Sequence, residues 1–207
     1  MDWTNMTIRE FQQALSSKNP TPGGGTASAI ALGQSASLVA MVANLTIGND
    51  KWSNGWEISE SALILANETL EDSARLAMED SDSFDDVMAA FKLPKKTEDE
   101  ITIRRAKIRE STLTAAEIPY NTALLAMDLL KIMVPLSSHG NANAISDIGV
   151  AALLATAACK GALFNVEINL NSLPEDYGVE MRENTPKVAS SCREIAREIM
   201  QNVKQRL

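Results

Sequence analysis

Apolar residues recur along most of this chain at helical spacing, and almost nowhere in strict alternation. From Thr7 to Leu15 a short helix is predicted, with Thr7 as N-cap and Glu10 placed to complete a capping box. The run KNPTPGGG then breaks the chain. From Thr26 to about Ile47 there is no charge at all, and Ala29, Gly33 and Ser37 recur at i, i+4, i+8 beside Ile30, Leu38, Met41, Val42 and Leu45. A long helix with so little polar face must be covered on most sides, so a subunit interface is expected along it.

The next helix is predicted over Trp56 to Met78, followed by an acidic turn, EDSDS, and a short helix from Phe84 to Phe91 that Pro94 ends. Thr97 caps a helix to about Ile118, Pro119 marks a kink or a turn, and another helix runs to about Val134. PLSSHGNAN reads as a loop, and the Ala-rich stretch from Ser146 to about Phe164 as a buried helix. In NVEINLNSL the residues Val166, Ile168 and Leu170 alternate like a strand, but one strand has no partner here, so helix is predicted. A last helix starts near Thr185, with Pro186 in its first turn, and ends near Gln205. With no repeat or linker, residues 1–207 read as one all-α domain, a bundle of long helices.

Composition narrows this picture. Only 4% of residues are aromatic while 45% are hydrophobic, which suits closely packed helices built from Ala, Leu, Ile, Val and Met. A net charge of −8 argues against a general nucleic-acid or anionic-membrane binder. The uncharged run from Asn19 to Asn49 holds two prolines, a glycine triplet and many polar residues, so a membrane span is rejected in favour of a buried helix. Cys159 and Cys192 fit no metal spacing and read as reduced thiols of a cytoplasmic protein, and MDWTNMTIRE lacks the order of a signal peptide.

Three constellations can carry chemistry. The first is Pro22-Gly23-Gly24-Gly25 entering a helix, where bare backbone N–H groups meet a ligand at the positive end of the dipole; a tight turn would use the same glycines. The second is Gly140 to Asp147, in which Asp147 is the only charge between His139 and Lys160. Either Ser146 or Asp147 is simply the N-cap of the helix that follows, or Asp147 is a partly buried carboxylate, held by Asn143 and Ser146, that does acid–base work or stabilises a cation. The third is the charge reversal: ten acids and one base from Glu57 to Asp86, then seven bases and three acids from Lys92 to Arg109. It reads as two solvated helix faces, or as a basic segment that meets an acidic ligand.

PTPGGGTASAIALGQSASLVAMVANLTIG, then Asp80 and Phe84, then VMAAFKLPK, then GNANAISDIGVAALLATAACKGALFNVEINL occur in that order. Together they resemble the cyclodeaminase/cyclohydrolase family, meaning the cyclodeaminase domain of formiminotransferase-cyclodeaminase and the stand-alone methenyltetrahydrofolate cyclohydrolases of bacteria and archaea. The likeness spans nearly the whole chain. It implies an all-helical homodimer acting on a tetrahydrofolate derivative as substrate, with no separate cofactor and no metal. It implicates Asp147 and Asp80 as catalytic groups, and Pro22, Gly23, Gly24, Gly25, Phe84, Lys95, Asn141, Asn143 and Ser146 in substrate binding. Ser83 departs from the pattern, where alanine is usual. The expected reaction is cyclodeamination of 5-formiminotetrahydrofolate; the alternatives are cyclohydrolysis of the 5,10-methenyl compound, or a non-catalytic helical module.

Overall fold

The computed structural model describes residues 2–207, and among them regular structure is entirely helical. Six helices carry the fold: α1 (Ile8–Leu15), α2 (Gly24–Thr46), α3 (Trp56–Phe91), α4 (Glu98–His139), α5 (Ile145–Asn171) and α6 (Val179–Arg206). Short 3-10 turns, Asp50–Gly55 and Ala142–Ala144, precede α3 and α5. Helices α2 to α5 each pack on the next, α5 closes back onto α2, and α6 lies across α4 and α5. Leu32, Val39, Leu129, Leu130, Met133, Leu136, Ile148 and Val166 fill the centre without solvent exposure. The capping box predicted at Thr7 forms with Glu10, Thr97 caps α4 as predicted and Glu100 completes a second box there, and 165–171 is helical.

The structure corrects four expectations. The first is the acidic turn: α3 runs unbroken through EDSDS, because Ser81 and Ser83 are buried there and Ser81 accepts a hydrogen bond from the Trp3 indole, 2.9 Å. The second is Pro119, which neither kinks the chain into two helices nor turns it; α4 continues to His139 and takes in Pro135 as well. Pro119 has no N–H for the carbonyl of Ala115, and the Asn169 side-chain amide donates to that carbonyl instead, at 2.7 Å. Thirdly, most of PLSSHGNAN is helix or 3-10 turn, not loop. The fourth is α6, which starts at Val179, after Gly178 in the left-handed region (φ 64°), and carries Pro186 inside it. Arg182 holds that start by donating to the carbonyls of Leu170, Leu173 and Tyr177.

The small residues Ala29 and Gly33 of α2 serve a helix contact inside the bundle. Ala29 packs with Leu76 and Ala77 of α3, and a Cβ on Gly33 would come within 2.6 Å of Ser73 Oγ. The stripe therefore lets α2 and α3 approach within one subunit. The outward face of α2 is a different one, where Gln34, Met41 and Leu45 are exposed, and Ser37 at the end of the stripe is exposed as well. By length and composition α2 and the segment 142–171 are apolar enough to cross a membrane, but half of each is buried inside the bundle, 56% and 50% of the apolar window.

Candidate active site

The glycine loop delivers the chain to the start of α2 with no side chain capping it. The first-turn N–H groups of Gly24 and Gly25 therefore lack a capping side chain, at the positive end of a 23-residue helix. Asp80, from the middle of α3, lies directly against them. A Cβ on Gly25 would sit 2.1 Å from Asp80 Oδ1, so only glycine leaves room for the carboxyl group there. Thr26 donates to Asp80 through its hydroxyl (Oγ1–Oδ2 2.9 Å) and its backbone N–H.

The chain of donors continues behind Thr26. Its hydroxyl proton goes to Asp80, so Ser81, 3.0 Å away, donates to Thr26 Oγ1, and Ser81 Oγ accepts from Trp3 Nε1. Three side chains thus point one polarised line at a single carboxyl group. Burial nevertheless outweighs these bonds and raises the Asp80 pKa above its ordinary value of 3.8. A carboxyl group biased toward its neutral form, yet supplied with donors for its anion, is suited to giving and taking a proton.

One helical turn on, Phe84 stands on the same face of α3, 37% exposed and available for contact. Met88 and Phe91 extend that face toward the α3–α4 connection and are also exposed. Lys95 lies in that connection, exposed. From Asp80 to Phe91 the helix rises about 16 Å at 1.5 Å per residue. Pro22 is buried and enters the loop through a cis peptide, and Gly23 is the N-cap position of α2. The structure thus brings Pro22, Gly23, Gly24, Gly25, Asp80 and Phe84 together, with Lys95 at the far end of the same helical hairpin.

The second motif is elsewhere. The Asn141 backbone N–H donates to Thr46 Oγ1 and its Nδ2 to the carbonyl of Leu45, each at 2.9 Å, so Asn141 closes the C-terminal end of α2. Its Oδ1 accepts from the Asn143 N–H, 2.9 Å. Asn143 and Ser146 are exposed, and Asp147 is half-buried in the first turn of α5. From Gly25 to Thr46 is about 32 Å of helix at 1.5 Å per residue. Within one subunit, Asp147 and Asp80 stand at opposite ends of α2.

Sequence reasoning passed over four residues of the first site. Thr26 read only as the start of a helix, Ser81 as part of the acidic turn, Trp3 as part of an N-terminal segment without signal-peptide order, and Asn165 as part of an ambiguous segment. Asn165 comes from α5, and its amide lies 3.7 Å from where a Cβ on Gly24 would be. The signal available was the spacing of Gly24 and Gly25, since adjacent glycines at a helix start each leave room for a neighbour. A cavity of about 650 Å³ lies between α1 and the α2–α3 pair; Asp80 does not line it, and its one acidic residue is Glu71. Among the described residues no cluster of three or more His, Cys, Asp or Glu is arranged to hold a metal ion.

The family model described as formiminotransferase-cyclodeaminase matches residues 7–187. A methenyltetrahydrofolate cyclohydrolase of Methylorubrum extorquens is 36% identical over 178 residues, covering 86% of this chain and 86% of the relative. A formimidoyltransferase-cyclodeaminase of Gallus gallus is 30% identical over 166 residues, 80% of this chain but only 31% of that longer protein. The solved structure of a formiminotetrahydrofolate cyclodeaminase from Thermotoga maritima superposes with a TM-score of 0.82 at 25% identity, over 99% of this chain and 96% of that one. Helix order, the PTPGGG loop and these matches agree: the chain belongs to the formiminotransferase-cyclodeaminase family.

Proposed function

We propose that this chain, as one catalytic domain, acts on the one-carbon unit that tetrahydrofolate carries between N5 and N10. The observation that carries the reading is Asp80, a carboxyl group buried against bare Gly25 at a helix start and biased toward its neutral form. In cyclodeamination N10 attacks the formimino carbon, a C–N10 bond forms, and the amino group leaves as ammonia once protonated. In cyclohydrolysis water adds to the methenyl carbon, and the C–N5 bond breaks as N5 takes a proton. Both pass through a tetrahedral carbon whose leaving nitrogen needs a proton, which Asp80 supplies. The proton lost by N10 or by water returns to it. The folate derivative is the substrate, and these steps call for no separate cofactor.

Two readings of the reaction stand. The superposition on a stand-alone cyclodeaminase over nearly the full length of both chains supports cyclodeamination. The higher identity of the cyclohydrolase, a relative of matching span, favours cyclohydrolysis. Absorbance of the methenyl chromophore separates them. With 5-formiminotetrahydrofolate it appears together with ammonia if the chain is a cyclodeaminase; added methenyltetrahydrofolate decays if it is a cyclohydrolase. If neither happens, the non-catalytic reading replaces both.

The remaining parts fit the same substrate. Phe84 offers a face to its aromatic groups, and Lys95 lies where a rod-like molecule extending along α3 from Asp80 would place its glutamate tail. The reading includes a homodimer. Met41 and Leu45 of α2 and Leu153, Phe164 and Ile168 of α5 are exposed apolar side chains on neighbouring helices. A two-fold axis across the middle of α2 would pair two copies antiparallel and bring the Asp147 end of each to the glycine end of the other. Asn143, Ser146 and Asp147 would then complete the site. Two buried free thiols, Cys159 and Cys192, are consistent with a reducing, cytoplasmic setting.

A further inference from the structure

Asn165 and Asn169 lie one turn apart on the same side of α5, and their side chains do different things. Asn169 Nδ2 donates to the Ala115 carbonyl that Pro119 leaves free, 2.7 Å. Asn165 Nδ2 donates to Gly161 O of its own helix, 2.8 Å. That bond fixes the orientation of the amide. Two oxygens repel, so the nitrogen must face the Gly161 carbonyl and Oδ1 must face away from it. Among the described residues, no donor lies within hydrogen-bond distance of Oδ1. The side chain is half-buried and meets α2 through Nδ2, 3.7 Å from where a Cβ on Gly24 would lie, beside the glycine that makes room for Asp80. The first turn of α2 is thus flanked from α3 by a carboxyl group and from α5 by a carboxamide with a free acceptor.

We infer that Asn165 binds the substrate, its Oδ1 accepting a hydrogen bond from an N–H of the reduced pterin ring and fixing how the ring presents its one-carbon unit to Asp80. This rests on the function proposed above. A carboxyl group alone gives a proton but does not set the orientation of a flat heterocycle. A second polar contact from another helix does. The bond to Gly161 O makes that contact rigid before the substrate arrives, so little ordering is needed on binding.

The test compares Asn165→Leu with Asn169→Leu in the full chain, with Asn165→Ala as a second variant in case leucine disturbs packing. Three quantities are read: melting temperature, kcat and KM on the turned-over folate, and the Kd of tetrahydrofolate, which has no one-carbon unit to react. Both Asn165 variants are expected to raise KM and Kd roughly 3- to 10-fold, the worth of one hydrogen bond, with kcat less affected and the melting temperature close to wild type. Asn169→Leu is expected to do the reverse, lowering the melting temperature while KM and Kd stay near wild type. Asn165 variants with wild-type KM and Kd overturn the inference, as do variants that lose stability in step with Asn169→Leu. A wild-type chain that neither turns over nor binds these folates overturns the proposed function itself, which separates the two failures.

Discussion

The two ends of α2 are built on different terms. At its C-terminal end nearly every polar group is used inside the protein. Asn141 bonds to Thr46, Leu45 and Asn143. Arg206 closes the end of α4 beside it, its guanidinium 2.6 Å from the carbonyls of Ser137 and Gly140. Gly55 leaves no room for a Cβ, which would lie 2.3 Å from the carbonyl of His139. At the N-terminal end the helix has no side-chain cap, a carboxyl group faces the open first turn, and a carboxamide oxygen is unbonded. The closed end is what a stable fold requires of a helix terminus. The open end retains binding capacity that folding does not use, which is where a ligand is expected.

The strongest way to break this contrast is to remove the charge from each end in turn. Asp80→Asn keeps the shape and abolishes proton transfer, so kcat should fall by about 10²–10⁴-fold. The folded pKa of Asp80 lies above its unfolded value, so wild type loses stability as pH rises from about 4 through the folded value. The asparagine variant lacks that loss, so its melting temperature should equal or exceed wild type near pH 7 and fall relative to it in acid. With Asp80 as proton donor, wild-type kcat/KM should decline on the alkaline side of a pKa raised above that of a free aspartate. Asp147→Asn should lower the melting temperature only slightly, because a first-turn carboxylate contributes about 0.3–1 kcal/mol through the helix dipole. If a second copy completes the site, its kcat should nonetheless fall by about 10²-fold; a change of only a few-fold would confine Asp147 to its helix.

The glycines sharpen the same contrast at smaller scale. Gly25→Ala drives a methyl group into Asp80, and overpacking of this kind costs about 1–3 kcal/mol while displacing the carboxyl group. Activity should therefore fall along with stability. Gly24→Ala meets only ordinary van der Waals contact with Asn165, and alanine gains up to about 1 kcal/mol over glycine inside a helix. Its melting temperature should hold or rise while KM increases. If Gly24→Ala and Gly25→Ala behave alike in both readouts, the two residues are only a turn. At the closed end, Asn141→Ala should cost about 1–3 kcal/mol through its unpaired buried partners and leave KM untouched.

Capping signals were read correctly, Pro186 and PLSSHGNAN were misread as a helix start and a loop, and non-local contacts decided the rest. The capping boxes at Thr7 and Thr97 need only residues three apart, and the bare start of α2 needs only its glycines. Helix α3 passes through EDSDS because Trp3, 78 residues away, bonds to Ser81, and α4 passes Pro119 because Asn169, 54 residues from Ala115, takes the freed carbonyl. No window of sequence holds both partners. Asp80 was marked by resemblance, but its setting depends on Gly25 and Thr26 from another helix. Asp147 was singled out as a lone charge, and the sequence held no measure of the helix that separates it from Asp80.

The smallest expected effect comes from the outer limit of the open end. Lys95 is exposed, in the connection beyond Phe91, and no described carboxylate lies within 4.0 Å of it. A cation so placed can meet the tail of an extended substrate, but water and salt screen it, and such a pair contributes only about 0–1 kcal/mol. Lys95→Ala should therefore raise KM no more than several-fold and leave kcat alone, since the contact is equal in ground and transition states. The increase should be larger for a polyglutamylated folate than for the monoglutamate, and it should shrink as salt is added. Equal KM changes for the two substrates would sever Lys95 from the tail, and the open end would then stop at Phe84. A change in kcat would mean instead that the α3–α4 connection helps to hold Asp80 in place, fifteen residues along the chain.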